Sequence, residues 1–120
     1  MPRILLIEDD DDERPLLKQV LEQHGYEVEE ATSGTGALHS YAISPPDLIV
    51  TDLIMPGTEG IEVIMKLRKQ NSNVKIIAIS GGDYLDLAMR LGADCTIRKP
   101  FSDQALLDAV KETLGSSTHE

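Results

Sequence analysis

Ile4-Leu5-Leu6-Ile7-Glu8-Asp9-Asp10-Asp11-Asp12-Glu13 joins four aliphatic residues directly to six acids. An apolar run this short is far below membrane-spanning length and fits a strand buried on both faces. The carboxylates then stand at the C-terminal end of that strand. Crowding like charges raises their pKa values and costs stability unless something offsets it. A hard cation such as Mg²⁺ or Ca²⁺ offsets it, because these ions take oxygen ligands. The plainer reading is a solvated acidic loop leading into a helix, whose N-terminal dipole favours Asp and Glu.

Outward from this junction, strand and helix patterns alternate. Beyond the first strand, residues 3–7, a helix is predicted over residues 15–24, with Leu16, Leu17, Val20 and Leu21 on one stripe. Pro15 suits its first turn and Gly25 its stop. Residues 26–31 alternate as a short exposed strand. Ser33 can cap a second helix running to residue 44, which buries Ala37, Leu38 and Tyr41 and ends at Pro45-Pro46. The third strand is Leu48–Asp52, followed by a turn at Met55-Pro56-Gly57. A third helix over residues 59–70 carries Ile61, Ile64, Met65 and Leu67. A fourth strand over residues 74–79 runs into Ser80-Gly81-Gly82, and a helix over residues 84–91 stops at Gly92. The fifth strand, residues 95–98, leads through Lys99-Pro100 to a helix starting at Ser102 or Asp103 that buries Leu106, Leu107, Val110 and Leu114.

Strict alternation of this kind implies an α/β protein, a (βα)₅ doubly wound parallel sheet with helices on both faces. The first, third and fourth strands are continuously apolar, as central strands are, and the second alternates like an edge strand. The strand order predicted is the flavodoxin-like 2-1-3-4-5, with a crevice at the C-terminal ends of the first and third strands. One domain over residues 1–115 and a flexible tail over 116–120 account for the chain.

The 120 residues carry 21 acids and 11 bases, a net charge of −10. No Lys/Arg stripe is available to neutralise phosphates, which disfavours direct nucleic-acid binding, and the same charge disfavours an anionic membrane. A chain of this size can bury roughly two thirds of its unfolded surface and needs no covalent staples. Cys95 is alone, so no intramolecular disulfide is possible. With no secretory signal or membrane span in view, a cytoplasmic location is the expectation.

Five side chains fall on one edge of the predicted sheet. The first strand delivers Glu8 and Asp9, the third Asp52, the fourth Ser80 and the fifth Lys99. Each has a structural alternative: Asp52 as a turn cap, Ser80 as a helix cap, Lys99 as a solvated strand end. Together they make a coherent chemical set. Asp9 and Asp52, with Glu8 behind, can hold Mg²⁺. Asp52, at the crevice centre, is a competent nucleophile toward phosphorus. Phosphoryl transfer needs mainly positioning and neutralised charge, which Lys99 and the Ser80 hydroxyl can supply.

The stretch Ile4 to Asp10, Asp52-Leu53-Ile54-Met55-Pro56-Gly57 with Gly60 beyond, Ser80 and Lys99-Pro100-Phe101 resemble the receiver domain of two-component response regulators over the whole chain. The resemblance implies that Asp52 accepts a phosphoryl group from a phosphohistidine on a sensor histidine kinase or phosphotransfer protein. It implies Asp9 as direct Mg²⁺ ligand, Glu8 acting largely through water, and the Ile54 carbonyl as a third protein ligand. Lys99 and Ser80 would bind the phosphoryl group, with a cis bond between Lys99 and Pro100. The output would be a changed face built from the fourth helix, fifth strand and fifth helix, read by a downstream protein. Such a chain assists its own phosphorylation and dephosphorylation rather than turning over an external substrate.

Two departures from the family pattern matter. Thr96 stands where an aromatic switch residue is usual, which shifts the burden of switching to the loop Ser80-Gly81-Gly82, whose glycines permit unusual backbone. Ile54 and Gly82 stand where residues influence attack of water on the phosphoaspartate, the one shielding and the other open. Among rivals, a receiver-fold module that binds without phosphorylation shares every feature above. A flavin-binding protein shares the topology, but six carboxylates would repel its phosphate. A phosphatase of the dehalogenase type wants an Asp two residues past the nucleophile, where Ile54 stands. Gly34-Thr35-Gly36 follows the second strand rather than the first and has His39 at the third glycine position, so it does not make a dinucleotide loop.

Overall fold

The computed structural model describes residues 1–53, 60–82 and 84–115. The elements are β1 (Arg3–Ile7), α1 (Glu13–Gln23), β2 (Glu27–Ala31), α2 (Gly34–Ile43), β3 (Leu48–Asp52), α3 (Gly60–Lys69), β4 (Lys75–Ser80), α4 (Leu85–Leu91), β5 (Cys95–Arg98) and α5 (Asp103–Gly115). All strand pairs are parallel, in the order β2-β1-β3-β4-β5. The predicted (βα)₅ flavodoxin-like fold is the fold observed. The turn at Met55-Pro56-Gly57, Ile54 and the tail over 116–120 lie outside the described residues.

Because side chains alternate across a strand, each central strand feeds two cores. Leu5, Ile7, Ile49, Ile76 and Ala78 face α2, α3 and α4, meeting Ala37, Val63, Ile64, Leu67 and Ala88. Ile4, Leu6, Val50, Ile77 and Ile79 face α1 and α5, meeting Leu17, Leu21, Leu106 and Val110. Each Leu, Ile and Val among these side chains contributes roughly 1.5–3 kcal/mol by leaving water, and each Ala less. β2 has only Ala31 buried, as an edge strand should.

Helix ends reflect local chemistry. Ser33 caps α2 as predicted, its Oγ accepting from the Gly36 amide at 3.1 Å. Gly92 ends α4 at φ 122°, a left-handed conformation that favours glycine. α1 begins two residues before Pro15. The Asp10 carboxylate accepts from the amides of Asp12 and Glu13, and those two bonds hold its pKa below the ordinary value. Two apolar residues sit off the predicted faces. Leu16 is exposed, because Leu17 and Leu21, one turn apart, form the buried row. Met65 is also exposed, and Val63 and Ile64 take the core face of α3.

One side chain closes the α3–β4 and α4–β5 connections together. Arg68 donates to the carbonyls of Gly92, Ser72 and Val74 at 2.8–3.0 Å, and to Asp94 Oδ2 at 3.1 Å. Asp94 Oδ2 also accepts from the Ile76 amide at 2.8 Å, tying β4 to the same knot. Arg68→Met keeps the stem but strips several carbonyls of their donors, at roughly 1–3 kcal/mol per stranded buried group. The expected result is a loss of about 3 kcal/mol in urea unfolding with an unchanged m-value. A loss below about 1 kcal/mol would show that water replaces the guanidinium without cost.

Candidate functional site

The register places the candidate side chains. Ile7 pairs with Thr51, Asp52 with Ile79, and Ser80 with Arg98, so Glu8, Asp52, Ser80 and Lys99 stand on the same C-terminal edge of the sheet. The edge is held by backbone bonds from Glu8 to Ala31, Leu53 to Ile79 and Lys99 to Ser80, at 3.0–3.1 Å. Asp52 is 8% exposed and Glu8 only 2%, so both carboxylates are buried at a strand end where water cannot fully solvate them.

Lys99 binds this group together. Its Nζ donates to Asp52 Oδ2 at 2.9 Å and to Glu13 Oε1 at 2.9 Å, and lies 3.8 Å from Glu8 Oε1. Oxygens of Glu8, Glu13 and Asp52 lie within 4.8 Å of one another. Burial pulls the Lys99 pKa down, but hydrogen bonds to Asp52 and Glu13 and the charges of Asp52 and Glu8 more than offset it, and the net shift is upward. The ammonium is therefore fully charged at neutral pH.

Glu8 is shifted upward as well, which for a carboxyl group favours the neutral form. Burial, a hydrogen bond with Glu13 and the charge of Asp52 raise its pKa from 4.5 to about 8, against the Asp10 amide and Lys99. The folded protein therefore holds a proton on Glu8 that the unfolded chain releases above pH 4.5. That makes the stabilising contribution complete below pH 4.5 and progressively lost as pH rises to about 8. With metal removed by EDTA, the stability of the wild type relative to Glu8→Gln is expected to fall by roughly 2–5 kcal/mol across that window, since one pKa unit corresponds to about 1.4 kcal/mol. Parallel pH profiles from urea unfolding would refute it.

The six-acid run divides among several tasks. Glu8 and Glu13 enter the Lys99 cluster, and Asp10 caps α1. Asp11 pairs with Arg14 at 2.7 Å. Arg14 also holds the Glu8 carbonyl at 2.9 Å, fixing the loop after β1. Asp9 is half-buried beside Glu8 and stands apart from the Glu8–Glu13–Asp52 cluster. Ser80 is buried, and its Oγ accepts from the Gly82 amide at 3.1 Å, so it turns the chain after β4 rather than capping α4. Thr96 is half-buried on β5, opposite Ala78 on β4. The Lys99–Pro100 bond is cis, as the resemblance implied. Glu13 is the residue that sequence reasoning did not single out. Its signal was weak, since it sits at a helix start rather than a strand end.

The model of the response regulator receiver domain family matches residues 4–111. The chain belongs to this family. Chemotaxis protein CheY of Halobacterium salinarum is 31% identical over 93% of the chain and 96% of its own length. Sporulation initiation phosphotransferase F of Bacillus subtilis is 32% identical, with 93% of each covered. Transcriptional regulatory protein FixJ of Azorhizobium caulinodans is 35% identical over 96% of the chain and 56% of its own length. Among solved structures, the receiver domain of Francisella response regulator 1452 superposes with a TM-score of 0.92 at 30% identity, covering 98% of this chain and 99% of that one. The CheY-like receiver protein of Methanospirillum hungatei gives 0.90 at 33%, covering 97% and 95%. This receiver domain is thus a two-component signalling module with an acidic pocket, and among its described residues no helix is long and apolar enough to cross a membrane.

Proposed function

We propose that this receiver domain accepts a phosphoryl group on Asp52 in a Mg²⁺-dependent reaction, from a phosphohistidine of a sensor histidine kinase or phosphotransfer protein. The observation that carries this reading is the Lys99 ammonium 2.9 Å from the buried Asp52 carboxylate at the sheet's C-terminal edge. A carboxylate oxygen of Asp52 forms the new O–P bond. The P–N bond to the donor imidazole breaks, and its electron pair leaves with the ring nitrogen. Lys99 then offers its charge to the transferred oxygens, and Ser80 its hydroxyl proton.

A hard cation suits this edge, since oxygens of Glu8, Asp52 and Glu13 lie within 4.8 Å of one another and Asp9 follows Glu8 in the chain. Glu8, Asp9 and Asp52, with the Ile54 carbonyl from outside the described residues, are the groups assigned to hold it. Bound Mg²⁺ supplies charge neutralisation for the phosphoryl oxygens. The same reading makes residues 1–115 the functional unit.

Output is assigned to α4, β5 and α5. Tyr84, just before α4, and Leu87 and Met89 along it are large, apolar and between 39% and 47% exposed, which suits a surface read by a partner protein. With Thr96 in the usual aromatic position, the loop Ser80-Gly81-Gly82 carries the change. The test is intact mass after incubation with Mg²⁺ and acetyl phosphate, then with a phosphorylated histidine kinase. One added phosphoryl group, absent when EDTA replaces Mg²⁺, is the expected outcome. No uptake from either donor would favour a module that signals by binding alone.

A further inference from the structure

We infer that Glu13 is a positioning residue that holds Lys99 away from the incoming phosphoryl group and so slows phosphoryl uptake. This rests on the reading of Asp52 as the phosphoacceptor. Lys99 Nζ divides itself between two carboxylates at equal distance, 2.9 Å to Asp52 Oδ2 and 2.9 Å to Glu13 Oε1. The two partners differ in kind. Asp52 is buried on β3, the strand next to β4 at the sheet centre, whereas Glu13 opens α1 with its side chain about one third exposed. An ammonium has three protons to give. Any of them spent on Glu13 is withheld from the transferred oxygens until that contact breaks.

Charge acts in the same direction. Glu13 adds a carboxylate to a cluster that already contains Glu8 and Asp52, all within 4.8 Å. An anionic donor approaching Asp52 meets that field, so releasing Lys99 from Glu13 both frees the cation and requires Glu13 to swing outward. The helix start is fixed without the Glu13 side chain, because Asp10 accepts from the Glu13 backbone amide. Substitution at Glu13 therefore spares the fold. Half-exposed ion pairs of this kind shift equilibria by up to about fivefold, which sets the size of the effect.

The experiment compares wild type, Glu13→Gln and Glu13→Asp at saturating Mg²⁺. In each, the O–P bond to Asp52 forms as acetyl phosphate loses acetate with the electron pair of the broken bond. The second-order rate constant for uptake is expected to rise roughly threefold in both variants, because the Asp side chain keeps the charge but is too short to reach Lys99. The Lys99 side-chain nitrogen resonance, recorded without Mg²⁺ or donor, is expected to shift in both. Unchanged rates, or a gain in Glu13→Gln with Glu13→Asp like wild type, would overturn the inference; the second pattern reports the charge alone. An unshifted Lys99 resonance would also overturn it. A wild type that takes up no phosphoryl group would remove the underlying reading, whereas uptake with unaltered variants would remove only this one.

Discussion

Asp52→Asn is expected to take up no phosphoryl group from acetyl phosphate or from a phosphorylated kinase, at any Mg²⁺ concentration. The amide keeps the shape of the carboxylate but is not a nucleophile toward phosphorus, so the loss is complete rather than graded. The fold should survive. Asp52 ends a strand whose neighbours are fixed by backbone bonds, and the substitution removes one negative charge from a group that holds Glu8 and Glu13 as well. Lys99 retains Glu13 as a partner at 2.9 Å. The melting temperature of the variant is therefore expected within a few degrees of wild type, and intact mass should show a single unmodified species. A phosphorylated Asp52→Asn protein would place the acceptor elsewhere, with Glu8, at the end of β1, the nearest other buried carboxylate.

Gly60→Ala is expected to cost about 3 kcal/mol or more, a large share of the roughly 5–15 kcal/mol that keeps such a domain folded. Alanine normally favours a helix by up to ~1 kcal/mol over glycine. Here an added Cβ would lie 2.0 Å from the Asp52 carbonyl oxygen and 2.9 Å from Leu53 Cα. Those are backbone atoms, so no rotamer change relieves the clash. Either α3 lifts, opening the packing of Val63, Ile64 and Leu67 under the sheet, or β3 shifts and carries Asp52 with it. Urea unfolding measures the first and the phosphoryl uptake rate the second. Full stability with normal uptake would show that α3 approaches β3 less closely than described.

Much of this was legible one strand at a time. Continuous apolar runs at 4–7, 48–50 and 76–79 fit strands buried on both faces, and in a parallel sheet the residues just past each run share one edge. That logic brings Glu8, Asp9, Asp52, Ser80 and Lys99 to one edge; the structure places Glu8, Asp52, Ser80 and Lys99 there, with Asp9 outside the Glu8–Glu13–Asp52 cluster. Local chemistry was equally readable at Ser33 and Gly92. The helix faces were less so. Leu16 and Met65 are as hydrophobic as their buried neighbours, and only the angle at which α1 and α3 lie on the sheet decides which rows turn inward.

The order of apolar and polar residues along the chain determined the (βα)₅ fold, the strand order and which residues end the central strands, because burial and alternation act locally and leave a period in the sequence. The tertiary structure alone decided which of the six acids meet Lys99. Glu13 meets Lys99 across 86 positions, whereas the Asp10 cap and the Asp11–Arg14 pair are local contacts. Glu13 and Lys99 are adjacent only because α1 and β5 close over the same edge, and no pattern within either segment records that meeting. Arg68 belongs to the same class: its partners at Gly92 and Asp94 are 24 and 26 residues away. Such contacts join residues near in space but far apart along the sequence, so no local period records them.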